Sequence, residues 1–181
     1  INQERLAPQS IVSLLAERLT DAHFRELEDS RELNIGLPVQ GIGSFRLSAF
    51  LQRGSISAVI RFIPHDVPKL DALHLPEVLK DLIMERRGMI LVVGSAGSGK
   101  STTIASMLDH RNELSTGHVL TFEDPIEYLF RNKKSIINQR EIGSDARTLQ
   151  AALRSAMRQA PDVIFIGEIR DRDTMSAAIA Y

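Results

Sequence analysis

Cysteine is absent from this sequence, aromatic residues make up only 5% of it, and its charges nearly cancel to a net −1. Without cysteine there is no disulfide framework, which fits a reducing compartment but barely discriminates between compartments. A near-neutral chain has no uniformly basic surface for a nucleic-acid backbone. Few aromatics also count against a translocase that stacks bases along a single strand. No apolar run exceeds five or six residues, well short of the roughly 20 that cross a bilayer. The chain opens on Ile1 with no basic, apolar and cleavage-site succession, so no secretory leader is read there. What is present, 43% hydrophobic and 25% charged residues over 181 positions, suffices for one core plus a smaller one.

Periodicity changes along the chain. Ile11, Leu14, Leu15 and Leu19 recur at helical spacing behind Ser10 as N-cap, and Thr20 caps a second helix to about Glu28. From Gly43 the apolar positions alternate through Phe45, Leu47, Ala49 and Leu51. After Gln52-Arg53-Gly54 they resume through Ile56, Ala58, Ile60 and Phe62, which predicts an antiparallel hairpin. Residues 1–63 therefore form a small α+β domain. Residues 64–75, with Pro76 just beyond, are rich in proline and predict an extended linker. Residues 76–181 read differently. A helix carries Val78, Leu79, Leu82 and Ile83 on one face, with Gly88 as its stop. A strand Met89–Val93, a helix Lys100–Leu114, a strand Val119–Glu123, a helix near Thr148–Gln159 and a strand Val163–Gly167 follow. Apolar strands alternating with helices predict a parallel sheet covered on both faces, so this half is α/β.

Between the strand Met89–Val93 and its helix stands Gly94-Ser95-Ala96-Gly97-Ser98-Gly99-Lys100-Ser101-Thr102, which fits G-x-x-x-x-G-K-[ST]. Glycines let successive backbone N–H groups point at phosphate oxygens, and the following helix aims its positive N-terminal end at the same anion. Lys100 reaches the outer phosphates, and the Ser101 hydroxyl is suited to Mg²⁺. A nucleoside triphosphate with Mg²⁺ is the expected ligand.

Hydrolysis needs a carboxylate to orient water and commonly a second to support the metal. In a parallel sheet these belong at the carboxyl ends of strands. Val119–Phe122 ends in Glu123-Asp124-Pro125, and Val163–Ile166 ends in Gly167-Glu168. Glu123 and Glu168 are thus the candidate catalytic acids, with Ser101 and Glu168 the candidate metal ligands. Gly167 stands where a metal-binding aspartate is usual. From the residues alone, which of Glu123 and Glu168 orients the water stays open. Glu127 reads as a solvated acid on the Asp124-Pro125 turn, Arg170 to Asp173 as a solvated charge run, and the five histidines as surface or linker residues. Leu149, Ala152, Leu153, Ala156 and Met157 read as core, with Gln150, Arg154 and Arg158 on the polar face of their helix.

The segments 121–128, 138–143 and 160–171 resemble the type II and type IV secretion ATPases, and within them the type IV pilus retraction motors. The phosphate loop shares that pattern, as do Gly43–Phe50 and Val59–Pro64 of the hairpin. Ser115–His118 and Arg158–Pro161 lean toward one of the two retraction paralogues. The resemblance implies a PAS-like N-terminal domain and a RecA-like P-loop NTPase core that continues beyond Tyr181 into further strands, a histidine motif and a helical region. It implies an ATP-hydrolysing subunit of a cytoplasmic homo-hexamer, or of a mixed ring with a paralogous ATPase. That ring would act on an inner-membrane pilus platform protein and not on nucleic acid. It further implies that arginines of the first domain, here Arg46 and Arg61 with Arg53 a looser match, complete the nucleotide site; from the residues alone both are the polar face of a strand. A noncatalytic nucleotide-binding subunit is the alternative within the same family.

Overall fold

The computed structural model describes residues 7–39, 42–64 and 66–180, which fall into two units, residues 1–63 and 64–181. Residues 1–6, 40–41, His65 of the expected linker and Tyr181 lie outside the described residues.

In the first unit, α1 (Pro8–Ala16) starts two residues before the expected cap. Proline has no N–H to leave unpaired in a first turn and its φ already suits the helix, so Ser10 lies inside α1. α2 (Asp21–Ser30) begins where Thr20 predicts. The Thr20 hydroxyl accepts from the His23 N–H at 3.4 Å, and the Thr20 N–H donates to His23 Nδ1 at 3.3 Å, a reciprocal cap. The expected hairpin is present as β2 (Gly43–Gln52) and β3 (Ser55–Ile63), joined through Arg53 and Gly54 at φ 51° and 78°. Two successive positive φ angles match the right-handed twist of the strands they join.

A third strand, β1 (Glu32–Val39), pairs antiparallel with β2, from Glu32 opposite Phe50 to Val39 opposite Gly43. Its alternating Leu33, Ile35, Leu37 and Val39 carried the signal, but Gly36 and Pro38 argue against a strand interior. Among the described residues β1 is an edge strand, where proline is tolerated. Leu27, Leu33, Leu47 and Ala49 are buried with Leu15 and Leu19 between the helices and one sheet face. Full burial contributes about 1.5–3 kcal/mol for each leucine.

The second unit absorbs most of the expected linker. A short 3₁₀ turn at Leu70–Leu73 buries Leu70 beside Ile83, Met107 and Val119, and Leu75 packs on the same cluster. Lys69 pairs with Glu113 and lies 3.6 Å from Asp109. α3 (Val78–Met84) buries Ile83, whereas Val78 and Leu82 are exposed. It ends before Gly88 because the buried Arg111 guanidinium donates to the carbonyls of Ile83 at 2.6 Å and Glu85 at 3.2 Å.

Residues 89–93 differ from expectation: they join neither sheet, and Met89, Ile90, Leu91 and Val93 are exposed. A strand is a paired state, and no described strand lies alongside them. α4 (Lys100–Leu114) has the expected bounds. β4 (Gly117–Glu123) is the centre of a parallel sheet, flanked by β5 (Ser135–Glu141) and β6 (Val163–Ile166). Val119 and Ile137 pack toward α4, while Leu120 and Phe122 pack toward α5 (Leu149–Ala156) with Ala152, Leu153 and Ala156. Both faces are covered, as the apolar strands require. Met157 is exposed rather than core, because a 3₁₀ turn at Met157–Gln159 breaks the 3.6-residue phase after Ala156. α6 (Arg172–Ala180) closes the described chain.

Candidate functional site

The glycine-rich loop leads directly into α4. Gly97 and Gly99 hold φ of 76° and 90°, a left-handed backbone that glycine adopts without penalty. A Cβ at Gly94 would meet Ser98 Oγ at 2.7 Å. Residues 94–99 are exposed, and Lys100, Ser101 and Thr102 are half-buried in the first turn of α4. Gly99 provides no side-chain cap, so the first N–H groups of a 15-residue helix stay available to an anion. Lys100 Nζ donates to the Ser95 carbonyl at 2.7 Å, which lays the ammonium back over the loop.

Glu123 ends β4 at 6% exposure. Residues 119, 121 and 123 alternate onto one face, the face on which Val119 meets α4. Glu123 Oε1 accepts from Thr121 Oγ1 at 2.7 Å and from Gln139 Nε2 at 3.1 Å. Burial pushes the carboxyl up from its ordinary value, the Glu127 charge adds to that, and the Thr121 and Gln139 side-chain donors and the Glu127 backbone donor pull the other way without cancelling it.

Glu168 follows β6 and is exposed; Arg170 pairs with it at 2.5 Å and reaches Asp124 at 4.0 Å. Glu123 and Glu168 line one cavity of about 160 Å³, with Asp124, Asp171, Arg170 and Gln150. Four carboxylates and one guanidinium line that cavity. The glycine-rich loop is not among its lining residues.

Gly167 now has a physical reason. Its N–H donates to the Phe122 carbonyl at 2.8 Å, and a Cβ there would stand 3.2 Å from Glu123 Cα and 3.4 Å from Phe122 O. A carboxylate-bearing residue would press on the backbone that carries Glu123.

The expected solvated run Arg170–Asp173 is only partly so. Arg170 binds site carboxylates, and Asp171 Oδ1 accepts from the Thr174 N–H at 2.7 Å as a cap on α6. That bond holds the Asp171 carboxyl below its usual range. Gln139, Thr121 and Tyr128 were not singled out from sequence. Thr102, expected at the phosphates, has its hydroxyl 3.1 Å from Tyr128 Oη. In the first unit, Arg46 on β2 and Arg61 on β3 are direct cross-strand partners. They lie on the face opposite the one that buries Leu47 and Ala49.

A parallel sheet, a glycine-rich loop opening a helix and acids at the carboxyl ends of adjacent strands together define the P-loop class of α/β proteins. The family model described as Type II/IV secretion system protein matches residues 9–181, and the chain belongs to that family. The chain is 41% identical to the type IV pilus ATPase PilU of Pseudomonas aeruginosa over all of its own length and 47% of that protein's. It is 40% identical to the type IV pilus retraction ATPase PilT of the same organism, over 99% of this chain and 52% of that protein. Identities so close do not separate the two paralogues. Among solved structures, that of the pilus retraction motor PilT with bound ADP is 44% identical at a TM-score of 0.93, covering 97% of this chain and 51% of that one. The Legionella pneumophila ATPase DotB is 28% identical at a TM-score of 0.81, covering 98% of this chain and 51% of that one. The chain spans about half the length of the curated relatives it matches.

Proposed function

We propose that this chain belongs to an ATP-hydrolysing motor subunit that powers type IV pilus retraction. The observation that carries the reading is Glu123: a buried, hydrogen-bonded carboxylate at a strand end, in the unit whose phosphate loop opens α4. The similarity to PilT and PilU supplies the pilus.

The loop N–H groups and Lys100 bind the phosphates, Lys100 exchanging the Ser95 carbonyl for an outer phosphate oxygen. Ser101 and Glu168 are the residues that would hold Mg²⁺. Their oxygen-only donors suit that hard cation, which takes few protein ligands when phosphates supply the rest. No cluster of three His, Cys, Asp or Glu side chains forms a cage among the described residues. Bound there, the ion neutralises phosphate charge. Glu123 orients the attacking water and accepts its proton at the carboxylate.

By resemblance to the retraction motors, Arg46 and Arg61 are assigned to stabilising charge on the transferring phosphoryl group. The reading includes a PAS-like first domain and a RecA-like core. It also includes a six-membered ring, homomeric or mixed with a paralogue, at the cytoplasmic side of an inner-membrane platform. Among the described residues no helix is long and apolar enough to cross a membrane.

The test is phosphate release by the full chain with Glu123 replaced. Glu123→Gln should keep Mg-ATP binding, lose turnover by about a hundredfold or more, and fail to restore twitching in a strain lacking the motor. Wild-type turnover by Glu123→Gln would overturn the assignment.

A further inference from the structure

The Gln139 amide on β5 makes three hydrogen bonds. Its Nε2 donates to Glu123 Oε1 at 3.1 Å and to the Tyr128 carbonyl at 2.9 Å, while its Oε1 accepts from the Phe130 N–H at 2.9 Å. Only one orientation satisfies all three, because a backbone N–H cannot accept and a backbone carbonyl cannot donate. The amide is therefore fixed with its nitrogen toward Glu123. The Thr121 hydroxyl, on a residue with no exposed surface, donates to the same oxygen at 2.7 Å. Glu123 Oε1 is thus held from two sides, by an amide fixed through its backbone partners and by a buried hydroxyl. Tyr128, which anchors the amide through its carbonyl, has its phenol 3.1 Å from Thr102 Oγ1, one residue beyond Ser101 on α4. The anchor of the carboxylate is in this way tied to the first turn of the phosphate-loop helix.

We propose that Gln139 and Thr121 are positioning residues: they clamp one oxygen of Glu123 so that its carboxylate meets the attacking water in a single geometry. The inference rests on the assignment of Glu123 to that water. Neither residue touches the nucleotide in this scheme; each acts through Glu123. Losing one hydrogen bond to a charged group that matters only in the transition state lowers kcat by about ten- to a hundredfold and leaves KM in place.

The experiment measures kcat and KM for Mg-ATP in the full chain. Thr121→Val removes the hydroxyl with almost no change of shape, and Gln139→Leu removes the amide. Both should lower kcat by about tenfold or more at unchanged KM, and Thr121→Ser, which restores the hydroxyl, should recover most of it. In a Glu123→Gln background, Thr121→Val should slow single-turnover hydrolysis no further, because its effect passes through the missing carboxylate.

Three results would overturn the proposal: a KM effect with kcat unchanged, wild-type kcat in Thr121→Val, or an equal loss in both backgrounds. If Glu123→Gln alone turned over at the wild-type rate, the catalytic assignment of Glu123 would fail instead. The two failures are therefore distinguishable, and Thr121→Val decides the matter even if Gln139→Leu does not fold.

Discussion

Glu123 is asked to be buried and charged at once. Burial favours its neutral form, so its folded-state pKa lies above the ordinary value of about 4.3. Between the two values the native state binds more protons than the unfolded one, and stability falls as pH rises through that window. The penalty is absent below the unfolded pKa and complete above the folded one. Glu123→Gln removes it, and the new amide oxygen can still accept from Thr121 and Gln139. The variant should therefore melt higher than wild type at pH 7 and equal to it near pH 4; a lower Tm at both would contradict the sign. Lys100→Ala makes the other residue-scale prediction. Losing charge-assisted bonds worth about 1.5–3 kcal/mol should weaken ATP binding by roughly ten- to a hundredfold in titration calorimetry. The places of Glu123, Glu168 and Lys100 in the fold were legible because motif and strand end announce them. Gln139 lies in the resembling segment 138–143, but its tie to Glu123, sixteen residues away, is not visible until β5 is laid beside β4. Thr121 could have been found by parity, standing two residues before Glu123 on the same face of the strand.

At the scale of elements, the sequence was clearest where one residue dictates one geometry. Thr20 starts α2, Arg53-Gly54 turns the hairpin, and Gly99-Lys100 opens α4. It was weakest where a neighbour decides. β5 alternates Ile137 with polar Asn138 and Gln139 and exposes Ile136, so only its pairing with β4 defines it. α3 ends by a guanidinium 28 residues distant. Gly167 shows the same dependence and offers a test. Its backbone is not in the left-handed region, so Gly167→Ala meets no φ penalty, and the added methyl meets backbone atoms of β4 that cannot turn aside. Overpacking of this kind costs about 1–3 kcal/mol, and here the atoms displaced carry Glu123. A melting curve should show that loss, and kcat should fall with it. Unchanged Tm and turnover would mean that β6 retreats freely and that the close approach has no role.

At the scale of the molecule, the sequence separated two units at the residue where composition turns from β-alternation to proline, and the contacts divide at that residue. It did not show that residues 70–75 belong to the second core, because a proline-rich stretch looks the same whether it hangs in water or lies on a hydrophobic cluster. Residues 89–93 are five apolar residues in a row that pair with none of the described strands, with Val93 89% exposed. Such a segment offers bare N–H and C=O groups beside apolar side chains, the condition under which chains add to one another. The 181-residue chain on its own should therefore associate as its concentration rises in sedimentation velocity, and Val93→Lys should shift it toward monomer. β3 is the competing seam, an edge strand with Val59, Ile60 and Phe62 exposed. If Val59→Lys dispersed the chain and Val93→Lys did not, association would run through the first unit. A chain that stayed monomeric throughout would show that residues 89–93 find cover that the exposed row of side chains does not reveal.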